Sequence, residues 1–240
     1  EPVCVPAYEP VFDDSQLVET HCHAHPARWL LENPGFVSGG NYRWFRDNFY
    51  TLPHDKTEVS YEVLNHEAQS IPPGSEGLVF LPCMMGAMAP EWNNKARGTF
   101  YGLTLAHTRA HMVRSLLEGS ALALRSIIEA MQQAGCAIQE IRAVGDRSIA
   151  VIQHLIRADV TGIPVALLST VETTVVGSAL LAAVGAGVCS DLQEAAARTT
   201  HVVEVNEPIA ANRAVYERAY GNFLSVYENL KGCFEKCTPS

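Results

Sequence analysis

The stretch GTFYGLTLAHTRAHMVRSLLEG, residues 98–119, decides how the rest of the chain is organised. It opens with a turn marked by Gly98 and Gly102 and passes directly into an amphipathic pattern. Apolar residues recur at close to a 3.6-residue period as far as Met131, and Gly135, a residue typical of helix ends, follows. We therefore predict a long central helix over residues 106–134.

Composition restricts the class of protein. The 240 residues are 48% apolar and 18% charged, which suffices for a core without disulfides or metals. The net charge of −9 comes without any basic run, which argues against a nucleic-acid partner. The seven cysteines form no disulfide framework, and no apolar run reaches the ~20 residues of a membrane span. We expect a reduced, cytoplasmic protein with no membrane partner.

The order of the remaining segments predicts an α/β fold. Residues 3–5, 17–23 and 28–31 are short extended runs separated by turns, as in a hairpin or meander. Further strands are predicted at residues 78–81, 138–144, 164–168 and 202–203. Helices are predicted at residues 58–69, 155–160, 172–188, 212–235 and, capped by Ser190 and Asp191, up to 198.

Three histidines lie close together at His21, His23 and His25. On a strand, all three would point to one face, so a zinc site is one interpretation. The other, which we favour, is a polar strand face that ends at Pro26. We accordingly assign no metal ligand.

A small-residue turn over residues 35–40 leads into a predicted helix with Asn41 as its N-cap. A glycine turn that enters a helix places free N–H groups and the positive end of the helix dipole at one point, which suits a phosphate. A tight turn before a core-packing helix explains the pattern equally well, and both interpretations stay open.

Several motifs together resemble one family. In the central stretch, G-x-[aromatic]-x-G-L is followed after seven residues by a run from His111 to Glu118, which resembles the second signature of the FGGY carbohydrate kinases. The CHA-x-P-x-x-W run at residues 22–29 and the GLTLAHTRAH run at 102–111 resemble xylulose kinase-like members, and the AD-[VI]-x-G-x-PV run at 158–165 resembles the family as a whole. The resemblance extends over residues 22–235. In the family, the first of these runs is structural, which also favours the polar strand over a zinc site.

The resemblance implies a ribonuclease H-like (actin-like ATPase) domain, with a mixed sheet and flanking helices. By this resemblance, residues 1–240 are the C-terminal, nucleotide-binding domain, and the N-terminal lobe that binds the sugar lies outside the chain. We interpret the start at Glu1, which has neither a methionine nor a helix cap, as the middle of a longer protein. A homodimer is left open.

The implied activity is ATP-dependent and magnesium-dependent phosphorylation of a sugar hydroxyl, with a pentulose such as xylulose as the substrate. No catalytic residue can be assigned in this chain, because Asp47, Asp146 and Asp159 fit cap, loop or helix positions better. We predict that the isolated chain is inactive.

The candidate ATP contacts implied by the resemblance fall in two segments. Gly39 and Arg43 belong to the segment GG-x-x-x-W-[FL]-R-[DE], which lines the nucleotide cleft in the family. The other contacts are in the turn after the predicted strand at 138–144, at Gly145, Asp146, Arg147 and Ser148.

That second segment departs from the family, which has three glycines where this chain keeps only Gly145. The carboxylate of Asp146 beside a phosphate would cost roughly 4 kcal/mol at ~4 Å before screening. Ala87 and Met88 likewise replace an acid–base pair in the family's GER-x-P-x-W segment. An alternative is therefore a non-catalytic homologue that acts as a binding or regulatory module.

Overall fold

The computed structural model describes residues 3–14, 16–35, 38–50, 59–88, 90–144 and 147–237. The first part is an antiparallel sheet of β1 (Val3–Ala7), β2 (Glu19–Cys22) and β3 (Trp29–Asn33). Its strand order is β1-β3-β2, so β3 pairs with both neighbours. The three predicted strands are confirmed, with β2 and β3 forming a hairpin.

Two helices and a second hairpin follow: α1 (Gly39–Phe49), α2 (Tyr61–Gln69), β4 (Val79–Leu81) and β5 (Thr99–Tyr101). Helix α1 begins at Gly39 after the N-cap Ser38, so the predicted cap at Asn41 is wrong. Asn41 is buried in the first turn, where its Nδ2 donates to the Pro82 carbonyl at 3.2 Å. The predicted turn at residues 98–102 contains β5, because Gly98 and Gly102 flank a strand that pairs with β4.

The central helix is α3 (Arg109–Gln133), and its existence is confirmed. It begins three residues later than predicted because Thr108 is its N-cap. The backbone N–H of Thr108 donates to Nδ1 of His111 at 3.1 Å, one half of a capping box. Residues 106–108 therefore lie outside the helix.

The last part of the chain alternates strands and helices. Its elements are β6 (Ile141–Ala143), α4 (Arg147–Thr161), β7 (Val165–Leu168), α5 (Thr173–Gly185), α6 (Leu192–Thr199), β8 (Val202–Asn206) and α7 (Arg213–Cys237). Strand β7 lies between β6, which is parallel to it, and β8, which is antiparallel, so this sheet is mixed. Helix α4 is much longer than the predicted 155–160. Asp191 caps α6 as predicted, by accepting from the Glu194 N–H at 2.8 Å.

Helix α3 connects two hydrophobic clusters. The larger cluster joins α1, α2, β4, α3, α4 and α7 and includes Phe45, Phe80 and Tyr216. The smaller packs Ile127 and Met131 of α3 against the β1–β3 sheet. Most residues of α3 are buried in this way, which confirms the central position predicted for this helix, whereas residues 101–106 ahead of it are exposed. Within the described residues, no helix is both long enough and apolar enough to cross a membrane.

Candidate functional site

The start of α1 has the features of an anion site. Gly39 and Gly40 are exposed, and the first backbone hydrogen bonds of the helix come only from Asn41 and Tyr42, which donate to the Ser38 carbonyl at 3.1 and 3.2 Å. The Ser38 side chain makes no cap hydrogen bond, and the first turn contains no acidic residue. Gly39 and Gly40 thus lie exposed at the positive end of the helix dipole, and their N–H groups have no hydrogen-bond acceptor among the described residues.

Arg43 lies one turn further along the same helix. Its side chain is exposed and makes neither a hydrogen bond nor an ion pair with any described residue. Arg46, by contrast, already has protein partners. Its guanidinium pairs with Asp47 at 2.8 Å and lies 4.4 Å from the centre of the Tyr61 ring. Arg43 is therefore available to an anion bound at the start of α1.

A narrow crevice separates the start of α1 from α3 and α4. It measures about 10 Å³, room for a single water molecule. Residues from all three helices line it, namely Ser38, Tyr42, Leu116, Leu117, Ser120, Gln153 and Arg157. The crevice is therefore too small to hold a nucleotide.

The second predicted segment is only partly visible. Gly145 and Asp146 lie outside the described residues, and so do the side chains of Arg147 and Ser148. The described backbone establishes that β6 ends at Ala143 and that α4 begins at Arg147. The structure thus brings α1 beside the body of α4, while contact of residues 145–148 with a nucleotide stays a prediction.

Two carboxylates considered from the sequence have protein partners. Asp47 is paired with Arg46, as described above. Asp159, in α4, accepts from the Ile209 N–H at 2.6 Å and from Nδ2 of Asn212 at 2.7 Å. Asp159 thereby ties α4 to the segment that leads into α7.

The histidines do not share a strand face. Strand β2 ends at Cys22, so only His21 lies on it, with its Nε2 3.3 Å from Glu19 and 3.6 Å from Glu32. Nδ1 of His23 instead accepts from the His25 N–H at 2.8 Å. In the part of the chain that the structure describes, no three His, Cys, Asp or Glu side chains are placed to hold a metal ion.

A buried polar hub lies on α3, around Glu118. Its carboxylate accepts four hydrogen bonds, from the Gly74 N–H (2.9 Å), Ser75 Oγ (2.7 Å), Arg114 Nε (2.7 Å) and Tyr216 Oη (3.0 Å). Burial, reinforced by the neighbouring Glu118 charge, raises the pKa of Tyr216, so its hydroxyl stays a donor. Three separate parts of the chain, the turn at Gly74, α3 and α7, meet at this one carboxylate.

The hub also stabilises an unusual turn. Gly74, Ser75, Glu76 and Gly77 have φ values of 85°, 47°, 51° and 93°, so two non-glycine residues adopt the left-handed conformation. Such residues cost of order 1–3 kcal/mol each, and the bonds from Gly74 and Ser75 to Glu118 offset that cost. Sequence reasoning missed this turn, although the PPGSEG run at residues 72–77 marks a break in the chain.

The loop after β4 has no acid–base pair at the two positions where the family has one. Ala87 and Met88 stand in it, and Met88 lines a mainly apolar cavity of about 50 Å³ together with Cys83 and Tyr227. Burial, followed by the nearby Glu91 charge, raises the pKa of Cys83 to about 12, so the thiol stays protonated. We infer no chemistry at this loop.

The fold defines the class of protein: an α/β domain of the actin-like ATPase type, in which the glycine-started helix α1 packs against the long central helix α3. The chain belongs to the FGGY family of carbohydrate kinases, whose C-terminal domain matches residues 6–186. This confirms the family that the motifs around α3 resemble.

Curated relatives include glycerol kinases. Those of Saccharolobus islandicus (strain M.14.25 / Kamchatka #1) and Deinococcus radiodurans are both 34% identical, over 169 and 160 residues. These alignments cover 70% and 66% of this chain but only 32% and 30% of the relatives. The chain thus spans about a third of the length of the curated relatives it matches.

Solved structures of kinases have the same fold. The xylulose kinase from Rhodospirillum rubrum superposes with a TM-score of 0.84 at 29% identity, over 98% of this chain and 46% of that one. The Plasmodium falciparum glycerol kinase, solved with ADP, superposes with a TM-score of 0.76 at 19% identity, over 93% and 44%. The second likeness is one of fold alone.

Proposed function

We propose that the protein to which this chain belongs transfers the γ-phosphate of ATP to a carbohydrate hydroxyl, and that residues 1–240 are its nucleotide-binding domain. The observation that carries the proposal is the start of α1, where the exposed residues Gly39 and Gly40 stand one turn from Arg43, an exposed arginine with no partner among the described residues. Membership of a carbohydrate kinase family supports the assignment of that anion site to ATP.

The residues present fit a phosphate chain. Backbone N–H groups at a helix start can bind phosphate oxygens without a change in backbone conformation. Arg43 adds a positively charged guanidinium group that can donate two hydrogen bonds at once. Because phosphoryl transfer depends mainly on positioning and charge, holding the phosphates is the contribution that we expect of this domain. Asp47 and Asp159 are already paired, so we assign neither of them to magnesium.

As substrate we favour a pentulose such as xylulose. The CHA-x-P-x-x-W run at residues 22–29 and the 29% identity to the R. rubrum xylulose kinase support this choice. The glycerol kinase relatives favour a smaller polyol. A chimaera in which this chain replaces the matched part of the R. rubrum enzyme cannot decide the substrate, because that enzyme would supply the sugar lobe. A substrate panel therefore requires the complete protein.

Calorimetry with magnesium–ATP tests the nucleotide site in the 240-residue chain. We expect measurable binding that Arg43→Ala weakens about tenfold, the equivalent of one charge-assisted hydrogen bond. Arg218→Ala is the matched control, since Arg218 on α7 is also exposed and has no partner in the part of the chain that the structure describes. Equal loss in both variants would contradict a site at α1.

The alternative is a homologue that no longer phosphorylates. Asp146 and Arg147 in place of two glycines favour it, because they add a carboxylate and a Cβ at positions where the family has glycine. Binding of magnesium–ATP that appears only in the double variant Asp146→Gly/Arg147→Gly would support this alternative. Binding by the unmodified chain, with phosphorylation by the complete protein, would exclude it.

A further inference from the structure

We propose that a cavity between α7 and the turn before β4 binds a zwitterionic amino acid with an aliphatic side chain, of the size of leucine. The cavity measures about 250 Å³, below the roughly 300–1,000 Å³ of pockets that hold drug-sized ligands, so it suits a smaller molecule. This second site goes beyond the proposed function and does not depend on it, since Gly39, Gly40 and Arg43 do not line the cavity.

The polar hub holds the walls of the cavity in place. Glu118 accepts from the Gly74 N–H at 2.9 Å and from Ser75 Oγ at 2.7 Å, which fixes the left-handed turn on one side. The Tyr216 hydroxyl donates to the same carboxylate at 3.0 Å, which fixes α7 on the other side. The cavity is therefore formed before a ligand arrives, which lowers the entropic cost of binding.

Apolar side chains form much of the lining. Phe80 of β4 and Leu122 of α3 are buried, and Val215 of α7 is half-buried. An aliphatic side chain that displaces water from this surface is stabilised by about 25 cal/mol for each Å² of apolar area that it buries. The apolar part of the lining therefore favours an aliphatic ligand.

A guanidinium and an amide stand together on the α7 wall. Arg218 and Asn222 are four residues apart, so they lie on the same face of the helix, and both are exposed. Neither has a hydrogen-bond or ion-pair partner in the described part of the chain. A guanidinium can donate two parallel hydrogen bonds to a carboxylate, and an amide can donate one more. We assign the carboxylate of the ligand to these two residues.

A carboxylate stands on the other wall, in the turn. Oε2 of Glu76 accepts from Nε2 of His111 at 3.3 Å, because Nδ1 of that ring already accepts from the Thr108 N–H. Oε1 of Glu76 has no partner among the described residues. The second carboxylate in the lining, that of Glu118, is instead paired with Arg114 at 2.7 Å. Glu76 is therefore the acceptor that is available to an ammonium group.

The two opposite charges favour a zwitterion. Among the described residues, no ion pair joins Arg218 to Glu76, so a ligand can bind between them. A simple anion would pair with Arg218 but approach the Glu76 carboxylate, and a simple cation would do the reverse. An α-amino acid carries both charges and leaves its side chain to contact Leu122. The adjoining cavity of about 320 Å³ beyond Asn222 has no charged residue in its lining, so it lacks this arrangement.

Titration calorimetry on the 240-residue chain tests the proposal with three ligands. The first is L-leucine, and the other two each lack one of its charges: isocaproate has no ammonium group, and isoamylamine has no carboxylate. We expect L-leucine to bind at least about tenfold more tightly than either analogue, the equivalent of one charge-assisted hydrogen bond. Equal affinities for the three ligands, or no binding of L-leucine at millimolar concentration, would overturn the proposal.

Single variants assign the two charges. Arg218→Ala should weaken the binding of L-leucine about tenfold without weakening that of isoamylamine. Glu76→Gln should weaken the binding of L-leucine without weakening that of isocaproate. Arg213→Ala is the matched control, since Arg213 is exposed on the same helix but does not line the cavity. An equal loss in Arg213→Ala, or variants that weaken all three ligands alike, would overturn the assignment.

Magnesium–ATP calorimetry on the same proteins separates this site from the proposed function. Arg43→Ala should retain L-leucine binding and Arg218→Ala should retain ATP binding, because the two sites share no residue. Binding of L-leucine without binding of ATP would contradict the nucleotide site alone. Binding of ATP without binding of L-leucine would overturn the amino-acid site alone.

Discussion

The surroundings of Glu118 and the start of α1 are opposites, although both were singled out by family motifs. Glu118 is almost fully buried and accepts four hydrogen bonds from three parts of the chain. Gly39, Gly40 and Arg43 are exposed, and Arg43 has no described partner. The Glu118 carboxylate is used to stabilise the fold, whereas the backbone of Gly39 and Gly40 and the side chain of Arg43 are accessible to a ligand.

The difference shows that a sequence motif can serve either the stability of the fold or the binding of a ligand. His111, Arg114 and Glu118 contact protein groups that fix α3 and the left-handed turn before β4. The residues of the motif that identifies the family therefore stabilise the fold. The residues that we assign to nucleotide form a shorter pattern, because backbone N–H groups carry much of the binding and impose little on side-chain identity.

Removal of the hub carboxylate should have the largest effect. Glu118→Ala leaves the buried guanidinium of Arg114 without its ion pair and the left-handed turn without its acceptor. We expect a loss of about 3–5 kcal/mol in the free energy of unfolding, measured by urea denaturation. The double variant Arg114→Met/Glu118→Leu should recover part of this loss, because no charge is then left unpaired. A loss below about 1 kcal/mol for Glu118→Ala would show that the hub is not structural.

The close contact between α3 and β4 can be tested with a pair of glycines. A Cβ on Gly119 would clash with the Phe80 carbonyl oxygen, so Gly119→Ala should destabilise by about 1–3 kcal/mol. Gly177→Ala, in α5, meets nothing within 4 Å and should be neutral or stabilise by up to about 1 kcal/mol. Thermal unfolding of the two variants measures the contrast, and equal shifts would contradict this account of the packing.

Substitution at the start of α1 should have little effect on stability, in contrast to substitution of Glu118. Arg43→Ala should change the free energy of unfolding by less than about 0.5 kcal/mol, because the side chain is exposed and contacts no described partner. Urea denaturation of this variant beside Glu118→Ala gives the comparison directly. A destabilisation that approached that of Glu118→Ala would mean that Arg43 has a structural role.

The smallest expected effect is a pH dependence that originates at Glu67. Burial acts to raise the pKa of this carboxyl, but hydrogen bonds from Arg109 and Tyr50 outweigh burial and lower it from the ordinary value of 4.5. Because the folded state then binds the proton more weakly than the unfolded state, this contribution is complete above about pH 4.5 and is lost as pH falls through the lowered pKa.

Glu67→Gln should therefore flatten the loss of unfolding free energy between neutral pH and about pH 3. Glu62→Gln, an exposed glutamate on the same helix without a described partner, is the control and should leave the profile unchanged. Identical profiles for Glu67→Gln and the unmodified protein would contradict the assignment.

The fold could be predicted from the sequence further than the site could. The period of the apolar residues predicted α3, because buried positions of a helix require apolar side chains at that spacing. The family motifs predicted the architecture. The residues at which helices begin were harder to predict. Asn41 resembles an N-cap but is buried against the Pro82 carbonyl, a contact between residues far apart in the chain. The same holds for Glu118, whose partners Gly74 and Tyr216 come from distant segments.

The candidate site was predicted in part. Glycines before a helix identified the start of α1, but whether Arg43 or Arg46 is free depends on Asp47 and Tyr61, which tertiary packing places. That no residue of the apolar helix α5 is buried could not be predicted from hydropathy, since a buried helix has the same composition.

Hydrogen–deuterium exchange with and without magnesium–ATP tests the central contrast most directly. We predict that the nucleotide slows exchange in peptides that cover residues 38–46, while peptides that cover residues 109–119 exchange at the same slow rate in both conditions. Protection that appears around Glu118, or a nucleotide-bound protein whose residues 38–46 exchange unchanged, would contradict the account.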